Sequence, residues 1–78
     1  MEEFVGYIVK NLVDVPEEVT AECRLGEDEV IIDIRVSPTD AGKVIGRRGK
    51  TIQALRTIAG MVAARLGCRV RVELASEE

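Results

Sequence analysis

The 78-residue sequence has no histidine and no tryptophan, one phenylalanine, one tyrosine, two prolines and two cysteines. Each scarcity removes a class of function. Without an imidazole, mechanisms that rest on a histidine base are excluded. Cys23 and Cys68 are isolated from one another and form no CxxC pair, so a zinc site on the common Cys/His spacings is excluded and no metal is expected. They read as small buried hydrophobes in a reducing compartment. The aromatics, Phe4 and Tyr7, both stand near the N-terminus, where they read as core and helix-surface residues rather than as platforms for stacking bases. The longest apolar run, "IAGMVAA", is too short to cross a bilayer, and the opening "MEEF" is acidic where a signal peptide is basic. A cytoplasmic protein without a membrane role is the expectation.

Acid is also missing, but only locally. Residues 41–72 hold eight bases (Lys43, Arg47, Arg48, Lys50, Arg56, Arg65, Arg69, Arg71) and no carboxylate. Residues 1–40 hold eleven acids against Lys10, Arg24 and Arg35. The net charge of −3 therefore hides a polarised chain, able to attract a polyanion to one side while remaining acidic overall. Its length fits one domain, residues 1–78, with a sheet and two or three helices. Hydrophobic residues at 46% and charged ones at 32% give a globular balance.

Along the chain, Phe4, Val5, Ile8, Val9 and Leu12 recur at helical spacing and predict an N-terminal helix within residues 1–14, ending near "DVP". A core unit follows over 19–74. Val19, Ala21, Cys23 and Leu25 alternate with polar residues, and Val30, Ile32, Ile34 and Val36 alternate with outward Ile31, Asp33 and Arg35, which predicts an antiparallel hairpin around "GEDE". In "SPTD", Ser37 reads as an N-cap, Pro38 as the first helical residue and Asp40 as the third position of a capping box. The short helix this opens stops at Gly46. A second helix starts near Lys50, buries Ile52, Leu55, Ile58, Ala59, Val62 and Leu66, and is capped by Gly67. "CRVRVEL" alternates as a third strand. The predicted fold is α+β, in the order α-β-β-α-α-β, with a three-stranded sheet packed against helices.

Between the two central helices lies "GKVIGRRGKT", residues 42–51. Gly49, Lys50 and Thr51 copy the end of a nucleotide-binding P-loop, but Val44 occupies the position of its first glycine and of the first glycine of GxGxxG. Both motifs also need a strand running into the loop, whereas a helix precedes this one. Holding a phosphate without hydrolysing it fits better. Gly46 and Gly49 permit positive φ and let a sugar–phosphate backbone approach the main chain. The following helix directs its first amides and its dipole at an anion. Arg47 and Arg48 fork onto phosphate oxygens, and Lys43 and Lys50 add looser charge.

"VIGRRGK" resembles the IGxxG signature of KH domains, whose GxxG loop clamps the backbone of about four single-stranded nucleotides. The element order resembles the type II KH arrangement over nearly the whole chain. A free-standing domain of this length containing "YIVKNLVDVPEEV" and "VSPTDAGKVIGRRGKTIQALRTI" is similar to the KhpA family of small bacterial RNA-binding proteins. The resemblance implies a non-enzymatic, cofactor-free binder of single-stranded RNA, acting as a chaperone or post-transcriptional regulator. Its RNA-binding residues would be Lys43, Ile45, Gly46, Arg47, Arg48, Gly49, Lys50 and Thr51. Bases would turn into a groove between the two central helices and the edge of the second strand. Ile45 is the candidate for an aliphatic floor under them; packing in the core is an equal reading of that residue.

The resemblance further implies a homodimer, or a heterodimer with a larger KH-containing protein of the KhpB kind. A sequence feature points the same way: Ala54, Thr57, Gly60, Met61 and Ala64 give the second central helix a flat, small-residue side opposite its core stripe, with Gln53 its one strongly polar member. A protein-interaction subunit whose RNA groove is secondary is thus the alternative class. Ribosomal RNA and single-stranded DNA remain open as targets.

Overall fold

The computed structural model describes residues 1–76. Helix α1 (Glu2–Lys10) buries Val5, Gly6 and Val9. Gly6 permits the close approach, because a Cβ there would lie 3.3 Å from the Ala21 Cβ. The helix stops short of the predicted end. Asn11 folds back, its Nδ2 donating to the Tyr7 carbonyl at 2.8 Å, and a side chain that bonds the last turn competes with its continuation. A single 3-10 turn, Pro16–Glu18, then leads into the sheet.

Strand β1 (Thr20–Leu25) pairs antiparallel with β2 (Val30–Val36), and β3 (Val70–Ser76) pairs parallel with β2 on its other side. The order β1-β2-β3 puts β2 at the centre. Central position explains a departure from simple alternation: Ile31, expected to face out, is buried along with Ile32, Ile34 and Val36. Its register neighbours are Arg24 and Arg71, whose aliphatic stems can cover it. Their guanidinium groups knit the outer face together. Arg24 Nε donates to Asp33 at 2.6 Å and its Nη2 to Glu73 at 3.2 Å, while Arg71 reaches Glu73 at 3.1 Å and also Glu29. These bonds hold the pKa of both arginines above the ordinary guanidinium value, Arg24 chiefly through Asp33 and Arg71 chiefly through Glu73.

Edge position has the opposite effect on β1. Only Ala21, beneath α1, is half-buried in that strand, and Leu25 is 82% exposed. Cys23 is exposed for the same reason, as is Cys68 beyond the last helix, so the expectation of two buried cysteines is corrected.

The β2-to-β3 crossover carries α2 (Ala41–Ile45) and α3 (Lys50–Arg65). Val44, Ile52, Leu55 and Ala59 drop from these helices onto Ile32, Ile34 and Val72 in one core cluster. Leu66, predicted to join them, is 69% exposed, because α3 ends just before it. There the chain turns in a Schellman motif: the Gly67 amide donates to Ala64 and the Cys68 amide to Ala63, with Gly67 at φ 78°.

The predicted capping box does not form. Pro38–Asp40 is a 3-10 turn, and the Ser37 hydroxyl bonds that of Thr39 rather than a helix amide. Asp40 is fully buried and its carboxylate accepts from the amides of Asp14, at 3.1 Å, and Val15, at 3.0 Å. That one side chain therefore ties the segment after α1 to the start of α2. Asp40→Ala leaves two part-buried amides without that acceptor and is expected to lower stability by about 2–4 kcal/mol, read as a lower urea midpoint at unchanged m.

Candidate nucleic-acid interface

Helix α2 ends because Gly46 leaves helical space, at φ 78° and ψ 178°, after its amide has bonded Gly42 at 2.9 Å. A tight bend follows. Gly49 donates back to Gly46 at 3.2 Å and Lys50 to Arg47, so these two amides are engaged by the turn itself rather than aimed outward as expected. Arg48 sits at φ 59° and Gly49 at φ 76°. A left-handed arginine carries roughly 1–2 kcal/mol of strain, which the surrounding turn must hold in place.

The two glycines are required for different reasons. A Cβ at Gly46 would lie 2.1 Å from Thr51 Oγ1, 2.6 Å from Thr51 Cβ and 2.9 Å from the Thr51 amide nitrogen. At Gly49 it would meet nothing within 4 Å, and only the backbone conformation demands glycine. Thr51 is thus half-buried beneath the bend, and its contact with Gly46 sets how closely α2 approaches α3.

Arg47, Arg48 and Lys50 are exposed, and among the described residues none of the three joins an ion pair. Lys43 differs. Its ammonium lies 3.1 Å from Asp14 and 3.8 Å from Asp40. The bond to Asp14, and then that group's charge, raise its pKa above the usual lysine value. What the raised Lys43 pKa adds to stability is present below the ordinary lysine pKa, through the neutral range, and is lost as pH climbs through the raised value. Ile45, immediately before the bend, is 42% exposed and outside the core. The structure therefore gathers Ile45, Gly46, Arg47, Arg48, Gly49, Lys50 and Thr51 at one turn, with Lys43 one helical turn earlier and occupied by acids.

The groove expected beside the second strand needs correction. Strand β2 is paired on both sides and has no free edge; the edge beside α3 belongs to β3. Arg56 bridges the two, its Nε donating to the Val72 carbonyl at 3.1 Å. In the sequence this residue counted only as one of eight bases. Its place within the buried stripe of Ile52, Leu55 and Ala59 was the available sign that it is not a freely solvated cation.

On the outward side of α3, Ala54, Thr57, Met61 and Ala64 are exposed and Gly60 is half-buried. The Thr57 hydroxyl donates to the Gln53 carbonyl at 3.0 Å, which removes one polar group from that side, and Ile58 adds a 42% exposed aliphatic. Phe4, at 42%, and Tyr7, at 69%, are exposed on α1, so Phe4 is not the core residue expected. Among the described residues no cluster of three His, Cys, Asp or Glu could hold a metal, and no helix is long and apolar enough to cross a membrane.

A glycine-bracketed bend joining two helices, laid on a sheet whose central strand has one antiparallel and one parallel neighbour, defines a KH domain of the type II order. A family model described as "KhpA/KhpB, KH domain" matches residues 2–74, and the chain belongs to that family. It is 45% identical over 78 residues to an RNA-binding protein KhpA of Chlamydia pneumoniae, with all of both chains covered. It is 44% identical over 72 residues to an RNA-binding protein KhpA of Borreliella burgdorferi, covering 92% of this chain and 88% of the relative. A third such protein, from Clostridium perfringens, is 43% identical over 74 residues, covering 95% and 99%.

The glycine geometry gives a graded test. Gly49→Ala is expected to cost about 1–2 kcal/mol for its positive φ alone, and Gly46→Ala distinctly more. Adding Thr51→Ala should not rescue Gly46→Ala, since the Thr51 Cβ and amide contacts at 2.6 and 2.9 Å persist. Chemical denaturation of the three variants checks the order.

Proposed function

We propose that this chain binds single-stranded RNA through the Gly46–Gly49 bend and serves as a chaperone or post-transcriptional regulator of RNA in the cytoplasm, without catalysing a reaction. The observation that carries the reading is the pair of exposed, acid-free guanidinium groups on Arg47 and Arg48, held out on a glycine-bracketed turn. Relatives at more than 40% identity are named RNA-binding proteins, which supports the same conclusion. Phosphates lie over Gly46 and Gly49, where the missing side chains let the backbone approach. Arg47 and Arg48 supply forked charge and Lys50 a looser one, with Lys43 a minor contributor because Asp14 shares its ammonium. Ile45, beside the bend, offers an apolar surface to a base. With no aromatic at the bend, stacking of ~1–3 kcal/mol per base is missing, and a single copy binds weakly.

Replacing both Arg47 and Arg48 by Asp is expected to abolish binding of a short single-stranded RNA while leaving the fold intact. Unchanged affinity in the folded variant overturns the reading. For the parent protein, log K should fall with log salt at a slope of about −2 to −3, from ~0.7 per phosphate. Competition by the matching DNA strand separates RNA from single-stranded DNA as the target. Arg48→Gly should leave stability unchanged or raise it by up to ~1 kcal/mol while weakening RNA binding, the signature of strain kept for a ligand.

A second reading concerns assembly. The outward face of α3, with Met61 65% exposed beside Ile58, Ala54 and Ala64, favours pairing with a second copy or with a larger KH-containing protein. Two grooves then raise avidity without new RNA contacts. Met61→Glu or Ala64→Glu should render the protein monomeric in sedimentation velocity. A parent chain that stays monomeric at high concentration removes self-pairing.

A further inference from the structure

A sheet of three strands has two free edges, and each displays the main-chain groups of alternate residues. The edge of β3 is met by Arg56, which donates to the Val72 carbonyl. The edge of β1 is open. The Gly26 amide bonds the Glu29 carbonyl, so in the β1–β2 register the bonded pairs continue as Arg24 with Ile31 and Glu22 with Asp33. Ala21, Cys23 and Leu25 fall between them. Their amides and carbonyls point away from β2, and no side chain among the described residues bonds them.

The surroundings give this edge a shape and a charge. Cys23 and Leu25 stand beside Ile32 and Val30, on the side of the sheet that the helices cover. Yet α1 reaches the strand only near Ala21, where Gly6 lets it come close, and Cys23 and Leu25 are left exposed. Between α1 and the start of β1 lies a pocket of about 380 Å³, with Gly6, Tyr7, Val19 and Ala21 in its walls. Glu2 and Glu3 line it as well, against one base, Lys10. On the opposite side of the strand Glu22 is exposed, and Glu17 and Glu18 are exposed on the turn leading into it. Arg24 offers no counterweight, because Asp33 and Glu73 already hold its guanidinium.

We propose that the free edge of β1 takes up an extended, basic segment of another protein as a fourth, antiparallel strand. Main-chain bonds to Ala21, Cys23 and Leu25 supply affinity, and alternate side chains supply specificity. Residues of the segment opposite those three are apolar: they cover Cys23 and Leu25, and one enters the pocket beside Tyr7. The residues between them are Lys or Arg, one of them beside Glu22. A second copy of this chain is a poorer occupant, since it would bring its own Glu2, Glu3 and Glu22 to the same seam. An RNA strand is repelled by the same carboxylates. The site is separate from the Gly46–Gly49 bend, and its test needs no RNA.

The experiment titrates the ¹⁵N-labelled full chain with a capped peptide of alternating lysine and valine and follows amide hydrogen exchange by NMR. At saturation the amides of Ala21, Cys23 and Leu25 should exchange about tenfold more slowly, while those of Glu22 and Arg24, already bonded to β2, change little. That alternation is the mark of an added strand. N-methylation of the peptide's valines, whose amides would face β1, should abolish binding, and N-methylation of its lysines should not. Neither measurement depends on a variant folding. A peptide of alternating glutamate and valine should not bind, and Glu22→Lys should weaken the lysine peptide roughly three- to tenfold. Unchanged exchange at the three amides overturns the proposal, as does equal binding of the valine-methylated or the glutamate peptide. Undiminished affinity in folded Glu22→Lys also overturns it. So does protection of the three amides that rises with the concentration of the protein alone, which identifies a second copy as the occupant.

Discussion

The bare Cα of Gly46 lies against the hydroxyl, Cβ and amide of Thr51, closer than any side chain would permit. Much else depends on that contact. It brings the end of α2 onto the start of α3, so that Val44 and Ile52 reach the same core cluster. It also forces the intervening residues into a bend so short that Arg48 must adopt a left-handed conformation. Among the described residues, neither guanidinium at the tip joins an ion pair. Steric closure at one glycine thus produces the electrostatic character of the whole end of the molecule.

Counting charges along the chain exaggerates that character. Arg71 is bound to Glu29 and Glu73 on the outer face of the sheet, Lys43 to Asp14 and Asp40, and Arg24 to Asp33. The outer face is an acid–base lattice across three strands, and exposed pairs of this kind contribute little individually. Their effect is one of sorting. Arg24, Lys43 and Arg71 are occupied in this way, whereas among the described residues Arg47, Arg48 and Lys50 at the bend join no ion pair.

Local patterns in the sequence carried much of this architecture, because the helix and strand periods, the Gly67 cap and the glycine-bracketed bend are all written within a few residues. What they did not carry was non-local. Ile31 looks like an outward residue until β3 is known to flank β2 in parallel. Cys23 and Leu25 alternate as a buried strand does, yet α1 covers β1 only near Ala21. Asp40 matched a capping box, while its partners, the amides of Asp14 and Val15, lie on a segment that no spacing rule connects to it. The same limit applied to the candidate interface. Its turn was legible residue by residue, but the strand edge beside it, and Arg56 spanning to that edge, emerged only from the order of the sheet.

That span bears on the protein's solubility as well. The outermost strand of any sheet displays unsatisfied main-chain groups on which a stray chain can template itself, and natural folds guard such borders with charge. A cation fastened to the Val72 carbonyl occupies one rung of this ladder and places positive charge across its neighbours. The border is therefore shielded against edge-to-edge aggregation by a residue of its own domain.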